Sequence, residues 1–217
     1  AVGKRSRELG SNLADRVQPG LDPNAVDTGN SLILHSEETP LSGFGLGTRR
    51  LTAIAAQESS AQEGSILAID EIESGLEPHR VVRALRYLNS IASRGSTQAF
   101  FTTHSPTVVV SLDVGQLFIV RSSPDGVTTI TGVPPALLSA QSTARSLPGA
   151  LLSRRVVVAE GKTEHGMISR LFEEWDLRAS GERNVSPVLA GTTVVDGEGE
   201  DFFVQRSLAL SELGFPV

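Results

Sequence analysis

The sequence predicts an α/β fold in which a largely parallel sheet alternates with amphipathic helices, laid out as two successive domains. Three observations carry that expectation. Short apolar runs within residues 66–69, 98–102, 116–120 and 154–159 alternate with segments of helical spacing, the pattern of strands covered by helices. An acid or a histidine stands just past three of these runs: Asp70, His104 and Glu160. The pattern stops at about residue 133 and restarts at 154, which predicts a first domain over 1–133, a linker over 134–153 and a second domain over 154–217.

Residues 5–17 carry Leu9, Leu13 and Val17 at helical spacing and end at Gln18-Pro19-Gly20, so a short amphipathic helix and a turn-rich connector to about residue 30 are expected. The chain opens on Ala1 rather than methionine and enters this helix almost at once, as a fragment of a longer polypeptide would. Residues 31–35 (SLILH) read as a strand, and Glu37-Glu38-Thr39-Pro40 as a turn. A glycine-rich segment at 41–51 leads into a helix through about residue 62, followed by strand 66–69, helix 78–93, strand 98–102, a short helix at 107–112 and strand 116–120. Pro124-Asp125-Gly126 is a hairpin-type turn before a strand at 127–131, and Val133-Pro134-Pro135 begins the linker. The second domain opens with strand 154–159 and a helix to about Trp175. Strand 192–195, an acidic turn at 196–201 and helix 202–213 follow, and Gly214-Phe215-Pro216-Val217 stands where another strand begins.

Composition narrows the chemistry. The chain is 39% apolar, yet it has no apolar run of about 18 residues and no signal-type start, so a membrane partner is not expected and a cytoplasmic setting is the default. Cysteine is absent, which excludes disulfides and thiolate metal sites and leaves oxygen ligands suited to magnesium or manganese. A net charge of -6 argues against a general basic surface that coats nucleic acid, while leaving room for a local DNA groove. The pairs Arg49-Arg50 and Arg154-Arg155 read first as solvated surface.

The sharpest signal is Asp70-Glu71 after the apolar strand at 66–69. In a phosphate-transferring site the first acid of such a pair sits in the metal's coordination sphere, and the second orients and deprotonates the attacking water. No G-x-x-x-x-G-K-[ST] loop accompanies it: Gly3-Lys4 is followed by Arg5, and Gly161-Lys162-Thr163 lacks a glycine five residues before Gly161. Ser42, Gly43, Gly45 and Gly47 offer a hydroxyl and alternating glycines at the amino end of a helix, where unpaired N–H groups and the helix dipole suit an anion. Singly, each has a plain structural explanation: a flexible turn, an acidic helix cap, a structural histidine. The order glycine segment, Asp70-Glu71, His104 makes the joint explanation the stronger one.

Glu160 and Glu164 form a second candidate site. An i,i+4 glutamate pair is common on solvated helices, but the strand VVVA fixes Glu160 at the carboxyl end of a sheet, and Gly161 relieves the turn, so the two acids can share a divalent cation. Asp196, at the end of the next strand, is a third candidate metal ligand, whereas Glu198, Glu200 and Asp201 read as a solvated acidic turn.

Taken in order, residues 41–51, 66–80 with Gly75-Leu76-Glu77-Pro78-His79-Arg80, 100–106 and 154–164 resemble the OLD (overcoming lysogenization defect) family of ATP-dependent nucleases. The GLEPHR wording is similar to its class 2 branch. The resemblance covers most of the chain from residue 31 and implies the C-terminal part of an ABC-type P-loop ATPase head, followed by the first part of a Toprim nuclease domain. It likens 42–47 to the ABC signature that caps the γ-phosphate held by the opposite subunit. It likens Asp70 and Glu71 to the Walker B pair, residues 74–78 to the D-loop and His104 to the switch histidine. Glu160 and Glu164 resemble the metal-binding acids of Toprim, and Gly197-Glu198-Gly199 its glycine turn. ATP with Mg2+ or Mn2+ as cofactors, DNA as substrate, a homodimer through the ATPase heads, a helicase as a candidate partner and a phage-defence setting are implied with it. On that likeness the Walker A loop belongs before residue 1 and the D-x-D pair after Val217, so these residues alone are expected neither to turn over ATP nor to cut DNA. Two other readings stand beside it: an SMC-like ATPase whose second domain is structural, and a non-catalytic dimerisation module.

Overall fold

The computed structural model describes residues 1–14, 16–21, 32–61, 64–95, 97–123, 125–133, 140–179 and 186–217. The fold is mixed α/β and falls into two compact units, Ala1–Val108 and Val109–Val217. The connector expected at 22–30, the proline of the turn at 124 and the start of the linker at 134–139 lie outside the described residues.

In the first unit, α1 (Val2–Leu9) is shorter than its apolar spacing suggests. Gly10 takes the left-handed conformation at φ 109°, its N–H returns to Arg7 O and the Ser11 N–H to Ser6 O, which stops the helix. Val17, expected as the last helical residue, instead opens strand β1 (Val17–Leu21), so Gln18-Pro19-Gly20 is strand rather than turn. Its partner β2 (Leu32–Ser36) pairs antiparallel with it, and a tight reversal at residues 37–38 brings β3 (Thr39–Pro40) against β2. Pro19 is tolerated because β1 is an edge strand of this three-stranded sheet.

Three helices make the body of the unit: α1, α2 (Leu46–Ser60) and α3 (Pro78–Ala92). Leu9, Leu51, Ile54, Val81, Ala84, Leu85 and Leu88 form its buried apolar surface. The Ser6 and Thr52 hydroxyls, fully buried, stand 3.1 Å apart between α1 and α2, and each is satisfied by its own acceptor: Ser6 donates to Ser11 Oγ at 2.6 Å and Thr52 to Thr48 O at 2.7 Å. Arg83 of α3 donates to the carbonyls of Arg7 and Glu8, both at 2.9 Å, and so caps the end of α1. Strands β4 (Ser65–Ile69) and β5 (Thr97–Phe101) lie parallel, with Ile69 beside Phe101. Leu67 and Ile69 are buried, whereas Ile66 is 66% and Phe100 55% exposed, so this pair is covered on one face only.

Helix α4 (Pro106–Ser111) leads into the second unit. Hairpin β6 (Phe118–Ser122) and β7 (Thr128–Gly132) groups with this unit, although the sequence pattern assigns it to the first domain. Val133 after it belongs to one core with Val109, Val156, Val195, Leu210 and Phe215, and the Arg121 guanidinium lies 4.1 Å over the Phe215 ring. After the short helices α5 (Ala140–Ser146) and α6 (Pro148–Leu151) come β8 (Arg155–Ala159), α7 (Lys162–Ala179), β9 (Thr192–Asp196) and α8 (Glu200–Glu212). β8 and β9 pair parallel. On the other edge of β8, Val156 N–H donates to Pro216 O at 3.0 Å, where the sequence expects the next strand to begin. The parallel strands thus form two separate pairs among the described residues, not one extended sheet.

Between the helices of the first unit, Arg5 pairs with Glu58 at 2.7 Å, and the Tyr87 hydroxyl donates to the same carboxylate at 3.4 Å. Burial, then the negative charges of Glu58 and Glu8, push the Tyr87 phenol from its ordinary 10 up to about 12. A raised pKa in the folded state means that its contribution is whole below pH 10 and is lost as pH rises toward about 12. Tyr87→Phe is therefore expected to show a shallower fall in stability than the parent across pH 10 to 12, read as urea midpoints at each pH.

Candidate functional site

The ends of β4 and β5 and the start of α2 meet in the first unit. Thr102, just past β5, donates its hydroxyl to Asp70 Oδ1 at 2.6 Å and accepts the Glu71 N–H at 2.8 Å. The backbone continues the pairing: Thr102 N–H reaches Ile69 O at 3.0 Å, and Ile72 N–H reaches Thr102 O at 3.1 Å. Ile72 is fully buried and anchors the turn, while the Asp70 and Glu71 carboxylates stay exposed. Glu71 has a left-handed backbone, φ 45°, unusual for a residue with a side chain.

Glu73 ties the next strand end to this turn. Its carboxylate accepts the Thr103 hydroxyl at 2.8 Å and the His104 N–H at 2.7 Å, so His104 is held beside the acidic turn with its side chain exposed. From the other side comes α2. Gly47 is buried so close to the turn that a Cβ there would stand 2.4 Å from Gly75 O, and Gly75, at φ 72°, lies against Leu46. Arg50, one turn further along α2, donates from Nη2 to the carbonyls of both Asp70 and Glu71, the latter at 2.8 Å. Ser42 lies in a single 3-10 turn at Leu41–Gly43, with its hydroxyl buried and without a hydrogen-bond partner among the described residues; Gly45 is the N-cap of α2.

The structure thus draws Gly47, at the start of α2, together with Asp70, Glu71 and His104 to one edge, while Gly43 lies nearest Thr39 and no contact among the described residues places Ser42 or Gly45 against the acidic turn. Sequence reasoning missed Thr102, Glu73 and Arg50, because nothing in their spacing separates them from ordinary strand-end and helix residues. Arg50, read as solvated surface, is half-buried against the acidic turn. The donor set fits magnesium, which binds proteins through one or two carboxylates and completes its shell with phosphate oxygens and water. Asp70 Oδ2 has no protein partner among the described residues and would hold that ion.

In the second unit the ends of β8 and β9 are joined by backbone bonds: Gly197 N–H to Ala159 O at 2.7 Å and Gly199 N–H to Glu160 O at 2.8 Å. A Cβ on Gly197 would stand 2.6 Å from Ala159 O, which is why glycine occupies it. Glu160 and Glu164 are both exposed at this edge. Asp196 Oδ1 accepts the Glu198 N–H at 2.8 Å. Among the described residues no three acidic or histidine side chains converge as a metal site, so Glu160, Glu164 and Asp196 are neighbours at one sheet edge rather than an assembled triad. Glu198 stays exposed, as the acidic-turn reading expects, and in addition pairs at 2.5 Å with Arg206, which is buried and donates to Asp196 O at 2.9 Å. Glu200 and Asp201 occupy the first turn of α8, where they favour the helix dipole.

Residues 21–111 match a family model described as "AAA domain, putative AbiEii toxin, Type IV TA system". That segment is similar to AAA-type ATPase domains and contains the glycine segment, Asp70, Glu71 and His104. Among solved structures, one from work on the structural biochemistry of ATP-driven dimerization and DNA stimulated activation of SMC ATPases is similar at 17% identity. The match covers 62% of this chain and 84% of that one, with a TM-score of 0.39. No curated protein matches.

Two stability outcomes follow from the contacts of the first unit. Gly47→Ala, which drives a methyl group into a backbone carbonyl, is expected to cost about 1–3 kcal/mol, read from urea unfolding. Glu73→Ala is expected to cost about 1–2 kcal/mol by removing the acceptor for Thr103 and His104, and Glu73→Gln, which keeps an acceptor for the His104 N–H, less than half of that.

Proposed function

We propose that the chain belongs to an ATP-dependent DNA endonuclease of the OLD type, with an ABC-type ATPase head over 1–133 and a Toprim nuclease domain over 154–217. The observation that carries the ATPase half is the acidic turn, with Asp70 and Glu71 presented at a strand end that Thr102, Glu73 and the start of α2 hold from three sides. The similarity of residues 21–111 to an AAA domain supports it.

In this reading Asp70 holds the magnesium that neutralises the phosphates of ATP. Glu71 takes the proton of the attacking water, and His104 contacts the γ-phosphate. Ser42, Gly43, Gly45 and Gly47 present N–H groups and a hydroxyl to a nucleotide held by a second copy, which makes the working unit a homodimer through its heads. Glu160 and Glu164, with Asp196 beside them, hold the divalent cation, magnesium or manganese, that activates water against a DNA phosphodiester. A cytoplasmic setting and a helicase partner belong to the same proposal.

The test uses the full-length protein. Glu71→Gln is expected to lower ATP turnover by about 10²-fold or more while nucleotide binding persists. Glu160→Ala is expected to abolish metal-dependent nicking of supercoiled plasmid and to leave ATP turnover intact. Nicking that survives Glu160→Ala would identify the second domain as a structural appendage of an SMC-like ATPase.

A further inference from the structure

We propose that Arg50 is a positioning residue for water activation: its guanidinium sets the backbone of Glu71 and ties that backbone to the helix carrying the glycine segment. The inference rests on the ATPase reading above and names a residue and a coupling that neither the acidic-pair pattern nor the glycine pattern contains.

Three observations place Arg50 in this role. Its Nη2 donates to two consecutive carbonyls, those of Asp70 and Glu71. In an extended strand consecutive carbonyls point to opposite sides, so one nitrogen can reach both only where the chain leaves the strand conformation. Glu71 makes that departure, at φ 45°. A left-handed residue with a side chain costs about 1–3 kcal/mol and persists only where its surroundings over-determine it. Here they do. The Glu71 N–H is held by Thr102 Oγ1, and its carbonyl accepts both the Ser74 N–H at 2.8 Å and Arg50.

Arg50 uses backbone carbonyls and leaves both carboxylates exposed, as a group must if those acids are to meet metal and water. It also sits one turn into α2, the helix whose first turn packs Gly47 against Gly75 O. A shift of α2 when 42–47 takes up a phosphate therefore reaches Glu71 through Arg50. Without the guanidinium Glu71 relaxes toward the extended region and its carboxylate leaves the position from which it takes the proton. Magnesium at Asp70 is retained, because Thr102 still orients that carboxylate.

Steady-state ATP turnover by the full-length protein tests this, with parent, Glu71→Gln, Arg50→Ala and Arg50→Lys measured side by side and nucleotide affinity followed by fluorescent ATP. Arg50→Ala is expected to lower kcat by about 10- to 100-fold, the size of a misplaced catalytic group, with KM and nucleotide affinity within about twofold of the parent. Millimolar guanidinium is expected to restore part of the loss. Arg50→Lys, which offers one ammonium for the fork, is expected to fall between. A kcat of Arg50→Ala within twofold of the parent, or a change confined to KM, overturns the positioning role. If Arg50→Ala fails to fold, parental kcat in Arg50→Lys with no gain from guanidinium overturns it equally. An inactive parent, or an active Glu71→Gln, instead sinks the ATPase reading itself.

Discussion

Where two parallel strands end side by side, the chain must turn away from both without leaving backbone polar groups unpaired. Much of the first unit's site is the solution to that constraint. Thr102 does most of it: its backbone extends the ladder to Ile69 and Ile72, and its hydroxyl bridges Asp70 and Glu71. Ile72, fully buried, anchors the turn whose acids Asp70 and Glu71 stay at the surface. The short reach of a threonine side chain matters, since it keeps Asp70 and Glu71 close against the end of β5.

The second unit meets the same constraint with different parts. Glycine replaces the hydroxyl bridge: Gly197 approaches Ala159 O closely enough to bond it directly, and Gly199 does the same for Glu160 O. The consequence is a looser presentation of side chains. Among the described residues no hydroxyl orients Glu160, and Glu164 stands in the first turn of α7. Two acids held by backbone alone fit a site that gains its final geometry when a cation and further ligands arrive.

Much of this was legible in the residues, and the rest was not for identifiable reasons. The parallel pairs β4–β5 and β8–β9 and the helices between them follow from apolar runs and helical spacing, and the acids fall at the strand ends as the pattern requires. The first antiparallel sheet was hidden because Gln18-Pro19-Gly20 has turn chemistry, and only edge position lets it pair as strand. Apolar spacing carries past Gly10, the residue whose left-handed backbone ends helix α1, so spacing alone overstates its length. Thr102, Glu73, Arg50 and Arg206 carry no periodic signal. Their roles come from contacts across 10 to 32 positions of chain, which spacing rules for single elements do not see.

The two strand-end turns share one further device, and the difference in its use separates an acid left available from one tied into the scaffold. Each contains a glutamate in the left-handed region, Glu71 at φ 45° and Glu198 at φ 62°, where glycine would be free of strain. Each is steadied by an arginine from a neighbouring helix. Arg206 takes the Glu198 carboxylate itself, and with that oxygen committed to a buried guanidinium Glu198 is part of the scaffold. Arg50 takes only the carbonyls of Asp70 and Glu71, so the same strain is supported while both carboxylates remain available. A glycine at position 71 would relieve the backbone and remove the acid. That the chain keeps glutamate there, and surrounds it with three hydrogen bonds to hold it, is what a residue needed for its side chain would require.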